Sequence, residues 1–257
     1  GCTLCSPGLF FLALHIVKLK QTSLMKIEIG ESLALSYLKH VKKCVIYQTN
    51  WKLSSWWLQE LGKKSPAENL YDKLKESPSK EKTAATDFDV KDVLTSDFSQ
   101  FLKQAEIDAL GIDQAGKVYA IDIAFHEQGL RYGSTDEETA ARVTKKLFRS
   151  YLAMRGYFPE KNCDIIFASP RVLGGKDESI KKRIKELTSL LKEEFKKGDI
   201  EYQFQYIAND QFKVEILDKT LALSEENADT GELFLRSYKL LNMPYTAPKP
   251  VKKKEYV

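Results

Sequence analysis

The chain has 257 residues, 43% of them hydrophobic and 30% charged, with a formal net charge of +4. These are ordinary globular proportions, which exclude a disordered or low-complexity chain and suit one elaborated domain or a domain with appendages. The mild positive charge permits nucleic-acid binding without demanding it.

Residues 1–24 form an N-terminal extension. Met25 resembles a natural start, so the extension need not be native. Its apolar run, Gly8 to Val17, falls short of the ~20 residues that span a bilayer. It also lacks the basic lead and small-residue cleavage site of a signal peptide, so no membrane partner is expected. Cys2 and Cys5 form a lone CxxC without a second pair. Cys44 and Cys163 fall at strand starts and read as buried thiols of a reducing, cytoplasmic compartment. Residues 25–242 are expected to form the domain, with an insertion at about 53–104, and residues 243–257 a basic flexible tail. The tail ends in KKKEYV and would add salt-sensitive affinity for nucleic acid.

Glu31 to Lys43 predicts an amphipathic helix with an apolar stripe of Leu33, Ala34, Tyr37, Leu38 and Val41. Cys44 to Asn50 reads as a strand. Trp51, Trp56 and Trp57 could stack on bases, but core or cover positions are favoured. Ser65 to Glu76 reads as a helix with Ser65 as cap, Pro66 first and Glu68 completing a capping box. Ser77 to Thr86 is a polar loop. A helix capped near Thr95 or Ser96 then leads to Gln104.

Ala105 to Ile112 and Lys117 to His126 predict a hairpin around the loop Gln114-Ala115-Gly116, whose last position suits a left-handed glycine. That loop sets Asp113 opposite Lys117, Asp108 opposite Asp122 and Glu106 opposite Ala124. Loops one residue shorter or longer would mix acids with core residues on one face. In this register Glu106, Asp108, Asp122 and His126 share one face. Ile107, Ala109, Tyr119, Ile121, Ile123 and Phe125 share the other. Opposed positions sit about 5 Å apart at Cβ, where like charges repel unless offset. A divalent cation offsets them; the alternative is a solvated acidic face on an edge hairpin.

Ser134 to Arg155 predicts a long helix with a Ser134–Glu137 capping box and Gly156 as its stop. Val143, Leu147, Tyr151 and Met154 would face the core, leaving Lys145, Lys146 and Arg149 for phosphate or for solvent. Asp164 to Ser169 reads as a buried strand, Asp177 to Lys197 as a mixed-charge helix, and Ile200 to Ile207 with Gln211 to Leu217 as a hairpin. Asp229 to Leu241 reads as a final helix. The GGK at Gly174 to Lys176 lacks P-loop spacing.

The segments AEIDAL (Ala105 to Leu110) and AIDIAFHE (Ala120 to Glu127) resemble the PD-(D/E)XK nuclease superfamily, most closely its small bacterial nuclease-like family with GEIDLI and EVK strands. The segment from Ile29 to Lys52, with its GE helix start and NWK ending, is similar to that family's opening helix and strand. The resemblance spans roughly Ile29 to Ser169. It implies a restriction-endonuclease-like α/β fold: a mixed central sheet flanked by helices, here with an inserted helical segment and a C-terminal β-hairpin/helix extension. It implies a metal-dependent nuclease acting on nucleic acid, DNA in the first instance. Mg²⁺ or Mn²⁺ would be held by Asp108 and Asp122, with Glu31 and Glu106 as further ligands. Ala124 stands where the family has its catalytic lysine. Lys145 or Lys146 on the following helix, or His126, would then supply the missing group. Alternatively the domain has lost catalysis and binds nucleic acid or a protein partner. The oligomeric state is left open.

Overall fold

The computed structural model describes residues 29–61, 65–76, 93–94, 96–126, 128–197, 199–223 and 232–242. The expectations for the N-terminal extension, the CxxC, the Ser77–Thr86 loop and the basic tail lie outside the described residues. In chain order the elements are α1 (Ile29–Ser36), β1 (Cys44–Lys52), α2 (Pro66–Glu76), α3 (Phe98–Lys103), β2 (Glu106–Asp113), β3 (Val118–Ile123), α4 (Asp136–Tyr157) and β4 (Cys163–Ser169). There follow α5 (Gly174–Leu190), α6 (Lys192–Phe195), β5 (Lys196–Lys197), β6 (Ile200–Ala208), α7 (Asp210–Phe212), α8 (Lys219–Ala222) and α9 (Leu233–Leu241).

The strands form a mixed α/β sheet in the order β1-β2-β3-β4-β6, extended at its end by the two-residue β5. β1, β2 and β3 are successive antiparallel neighbours, whereas β3, β4 and β6 run parallel. The parallel pairs need crossovers, which α4 and α5 provide. Strand side chains alternate between the two faces. Leu110, Val118, Ala120, Ile165 and Phe167 join the larger core with α4 residues Val143, Leu147 and Tyr151. Ala109, Tyr119, Ile121, Ile123 and Ile166 join a second core with Leu33, Tyr37 and Leu38. The sheet is therefore covered on both sides, and the acidic hairpin lies inside it rather than at an edge. Ile107, expected beside Ala109, packs in the larger core with Trp51, its partner across β1.

Several local expectations shift. The α4 cap is one residue later than expected: Thr135 accepts from the Glu138 N–H, and Glu138 accepts from Ser134 N. Gly156 lies within α4 instead of stopping it. A Cβ there would stand 2.7 Å from Trp57 Cη2, so its smallness serves close packing. α3 is capped by Asp97, which accepts from the Gln100 N–H. Trp51 and Trp57 are buried against Tyr157, as favoured, while Trp56 is exposed. The C-terminal β-hairpin does not form. Residues 210–222 are helical, burying Phe212, Ile216 and Thr220 at four-residue spacing, and Val214 is exposed. Among the described residues no helix is long and apolar enough to cross a membrane.

Candidate functional site

The hairpin register follows the expectation. Ile112 pairs with Val118 and Ala109 with Ile121, so one step further along the ladder Asp108 stands opposite Asp122. The turn fixes this register. Gly116 has φ 82°, its N–H donates to Asp113 O at 3.0 Å, and the Asp113 N–H donates to Lys117 O at 3.0 Å. Both aspartates lie on the α4 face. Asp122 is only 1% exposed. Its Oδ2 accepts from Ser150 Oγ at 2.8 Å, and Lys146 Nζ stands 3.4 Å from its Oδ1. Asp108 Oδ2 accepts from the Ile123 N–H at 2.8 Å, which ties the two strands together where their carboxylates crowd.

Burial and the Asp122 carboxylate push the Asp108 carboxyl up to about 7, with Lys146 opposing them. Burial works against charge on Lys146 as well, but Asp122 and Asp108 outweigh it and hold the ammonium above its usual range. With both aspartates ionised, one lysine leaves the cluster short of positive charge.

Two cavities meet at this cluster. The larger, about 280 Å³, is lined by Glu31, Asp108, Phe125, His126, Tyr132 and Lys146, among others. The smaller, about 120 Å³, is lined by Gln104, Glu106, Asp108, Asp122, Arg149 and neighbours. Asp108 and Lys146 border both.

The other expected residues fall in different places. Glu31, at the start of α1, lines the larger cavity, with its Oε2 accepting from Asn50 Nδ2 at 2.8 Å. Glu106 pairs with Lys52 across β1 at 3.1 Å and borders the smaller cavity with its side chain half-exposed. His126 lies beyond the end of β3, its ring edge-on to Tyr132 at 5.9 Å. Lys145 is a correction: its ammonium lies 5.9 Å over the Phe101 ring, on a different side of α4, and Lys146 is the lysine at the acids. Ala124 is buried beside Lys146 along the larger cavity, so the cation reaches this space from the helix rather than from position 124. Ser150 and Tyr132 were not anticipated. Ser150 follows Lys146 by one helical turn, a spacing that becomes informative once Lys146 is placed.

Among the described residues no three His, Cys, Asp or Glu side chains gather to hold a metal ion. Asp108, Asp122, Glu31 and Glu106 therefore do not surround one point. A pair of carboxylates with an adjoining polar cavity fits Mg²⁺, which uses one or two carboxylates and keeps several waters. It does not fit a closed zinc or calcium cage. No family model, curated protein or solved structure gives a significant match to the chain.

Proposed function

We propose that the chain is a metal-dependent nuclease of the PD-(D/E)XK kind, hydrolysing a phosphodiester bond of nucleic acid. The observation that carries this reading is the opposed pair Asp108 and Asp122 with Lys146 Nζ 3.4 Å from Asp122. Two acids and one lysine are the residue types that the resemblance requires, with the lysine supplied by α4. The order of helix, three antiparallel strands, crossover helix and parallel strand further supports a restriction-endonuclease-like arrangement.

Asp108 and Asp122 would hold Mg²⁺, which when bound supplies an activated water and neutralises charge on the scissile phosphate. Ser150 and the Ile123 N–H orient the two carboxylates. Lys146 remains protonated through the neutral range, so its part is to stabilise negative charge growing on a phosphoryl oxygen. Glu31 lies along the larger cavity, where it can order water.

The test is cleavage of labelled oligonucleotides with and without Mg²⁺. Wild type is expected to cleave only with the ion, and Asp108→Asn and Lys146→Met to abolish cleavage. Mg²⁺-dependent cleavage that survives Asp108→Asn refutes the assignment. The second reading, a non-catalytic nucleic-acid-binding module, is favoured by Ala124 and by the saturation of Asp122 with Ser150 and Lys146. Calorimetric titration discriminates, since that reading expects salt-sensitive oligonucleotide binding without Mg²⁺ affinity.

A further inference from the structure

Phe125 stands out among the residues around the larger cavity. Period-2 patterning sets it on an apolar face, yet it is 43% exposed. Its Cβ lies close against the start of α1: a Cβ at Gly30 would come within 2.9 Å of it. The ring therefore offers apolar surface to solvent instead of folding inward. The same cavity holds the rings of His126 and Tyr132, and Lys146 Nζ lies 5.9 Å over the Tyr132 ring. The lining combines an exposed aromatic surface with a cation and the carboxylates of Glu31 and Asp108.

The floor of this cavity is recessed, since Ile123 and Ala124, which line it, are 8% and 2% exposed. A cavity of about 280 Å³ is close to the lower bound for ligand sites, ~300 Å³. A duplex presents its phosphates on a stiff rod with bases stacked inward. An unpaired nucleotide can be splayed out, entering a narrow recess while its base stacks on an aromatic side chain. We infer that the larger cavity takes one unpaired nucleotide, its base stacked on Phe125 and its phosphate directed to Lys146, so that the substrate is single-stranded nucleic acid. This rests on the nucleic-acid reading above and narrows it.

The test uses the full chain and fluorescence anisotropy with a short labelled thymidine oligomer and a hairpin duplex of equal length. A uridine oligoribonucleotide separates the two sources of an unpaired nucleotide. Tighter binding of either single strand than of the duplex supports the inference. Phe125→Ala is expected to weaken single-strand binding roughly ten-fold or more, the loss of one stacked base, and to change duplex binding little. Phe125→Trp should retain it. Trp56→Ala, which removes an exposed ring outside the cavity lining, should change nothing. Preferential duplex binding, or equal losses on both substrates with Phe125→Ala, overturns the inference. Single-strand preference with Phe125 dependence but no Mg²⁺-dependent cleavage refutes hydrolysis and keeps this inference. Cleavage confined to duplex does the reverse, and binding of neither substrate refutes both.

Discussion

Replacing Asp108 by Asn should stabilise the metal-free fold while removing its chemistry. The Asp108 carboxyl is pushed up to about 7 by burial and by Asp122, against ~3.9 for an unperturbed aspartate. Between those values the folded state binds a proton that the unfolded chain has released. Stability therefore falls as pH rises from ~4 towards 7, and the full penalty is present above 7. At ~1.36 kcal/mol per pH unit the penalty has a ceiling of ~4 kcal/mol. Asn is neutral, similar in shape, and its carbonyl can still accept from the Ile123 N–H. Urea unfolding in EDTA should show Asp108→Asn more stable than wild type by ~1–4 kcal/mol at pH 8, with the gap closing towards pH 4. Mg²⁺ should act oppositely, raising the melting temperature of wild type, by ~2.7 kcal/mol of stability at a hundred times its Kd, and leaving the variant unmoved. A variant less stable than wild type at pH 8, or a difference independent of pH, would refute the crowded-carboxylate argument. Because the variant is expected to fold more firmly, its loss of cleavage could not be ascribed to unfolding.

Lys146→Met should abolish cleavage and lower stability at pH 8 by ~1–3 kcal/mol, since it leaves two buried carboxylates without their counter-charge. Lys145→Met should change catalytic turnover by less than about two-fold, checked in the same assay, because Lys145 lies over Phe101 and away from the acids. Ser150→Ala removes one donor to the buried Asp122 and should reduce stability by ~1–2 kcal/mol in urea titrations. Gly156→Ala sets a helix-propensity gain of ~1 kcal/mol against a Cβ 2.7 Å from Trp57. Overpacking typically costs ~1–3 kcal/mol, so a net loss in melting temperature is expected.

The hairpin was legible because two independent signals agreed: a glycine in the left-handed loop position and the period-2 placement of the acids on both strands. Together they set Asp108 opposite Asp122 before any packing is known. The sheet's double coverage was less accessible, because the residues that bury the acidic face come from α4, well beyond the hairpin in sequence. The helical segment at 210–222 shows a different kind of failure. Phe212, Val214 and Ile216 alternate like a strand, while Phe212, Ile216 and Thr220 repeat like a helix, and a short apolar run cannot decide between the periods. The structure settles it by exposing Val214 and burying the other three.

The two lysines of α4 are the most instructive pair, because helical geometry alone separates them. At about 100° per residue, the buried stripe of Val143, Leu147, Tyr151 and Met154 leaves Lys146 on its flank and Lys145 nearly opposite. Ser150 flanks the stripe on the same side as Lys146. Lys146 and Ser150 thus approach Asp122 together, 24 and 28 residues along the chain. A lysine at position 124 would have to project from a position just past β3 that is 2% exposed within the larger core. Lys146 instead lies along α4 and is a third exposed, so part of its aliphatic stem packs while its ammonium keeps contact with the cavity. If moving the cation to the helix preserves its electrostatic role, Ala124→Lys should recover part of the cleavage lost in Lys146→Ala, and Ala141→Lys, one helical turn before Lys145 and on its side of α4, should recover none in that background. Equal rescue from both positions would mean that net charge, rather than the placement of the ammonium against Asp122, governs the site.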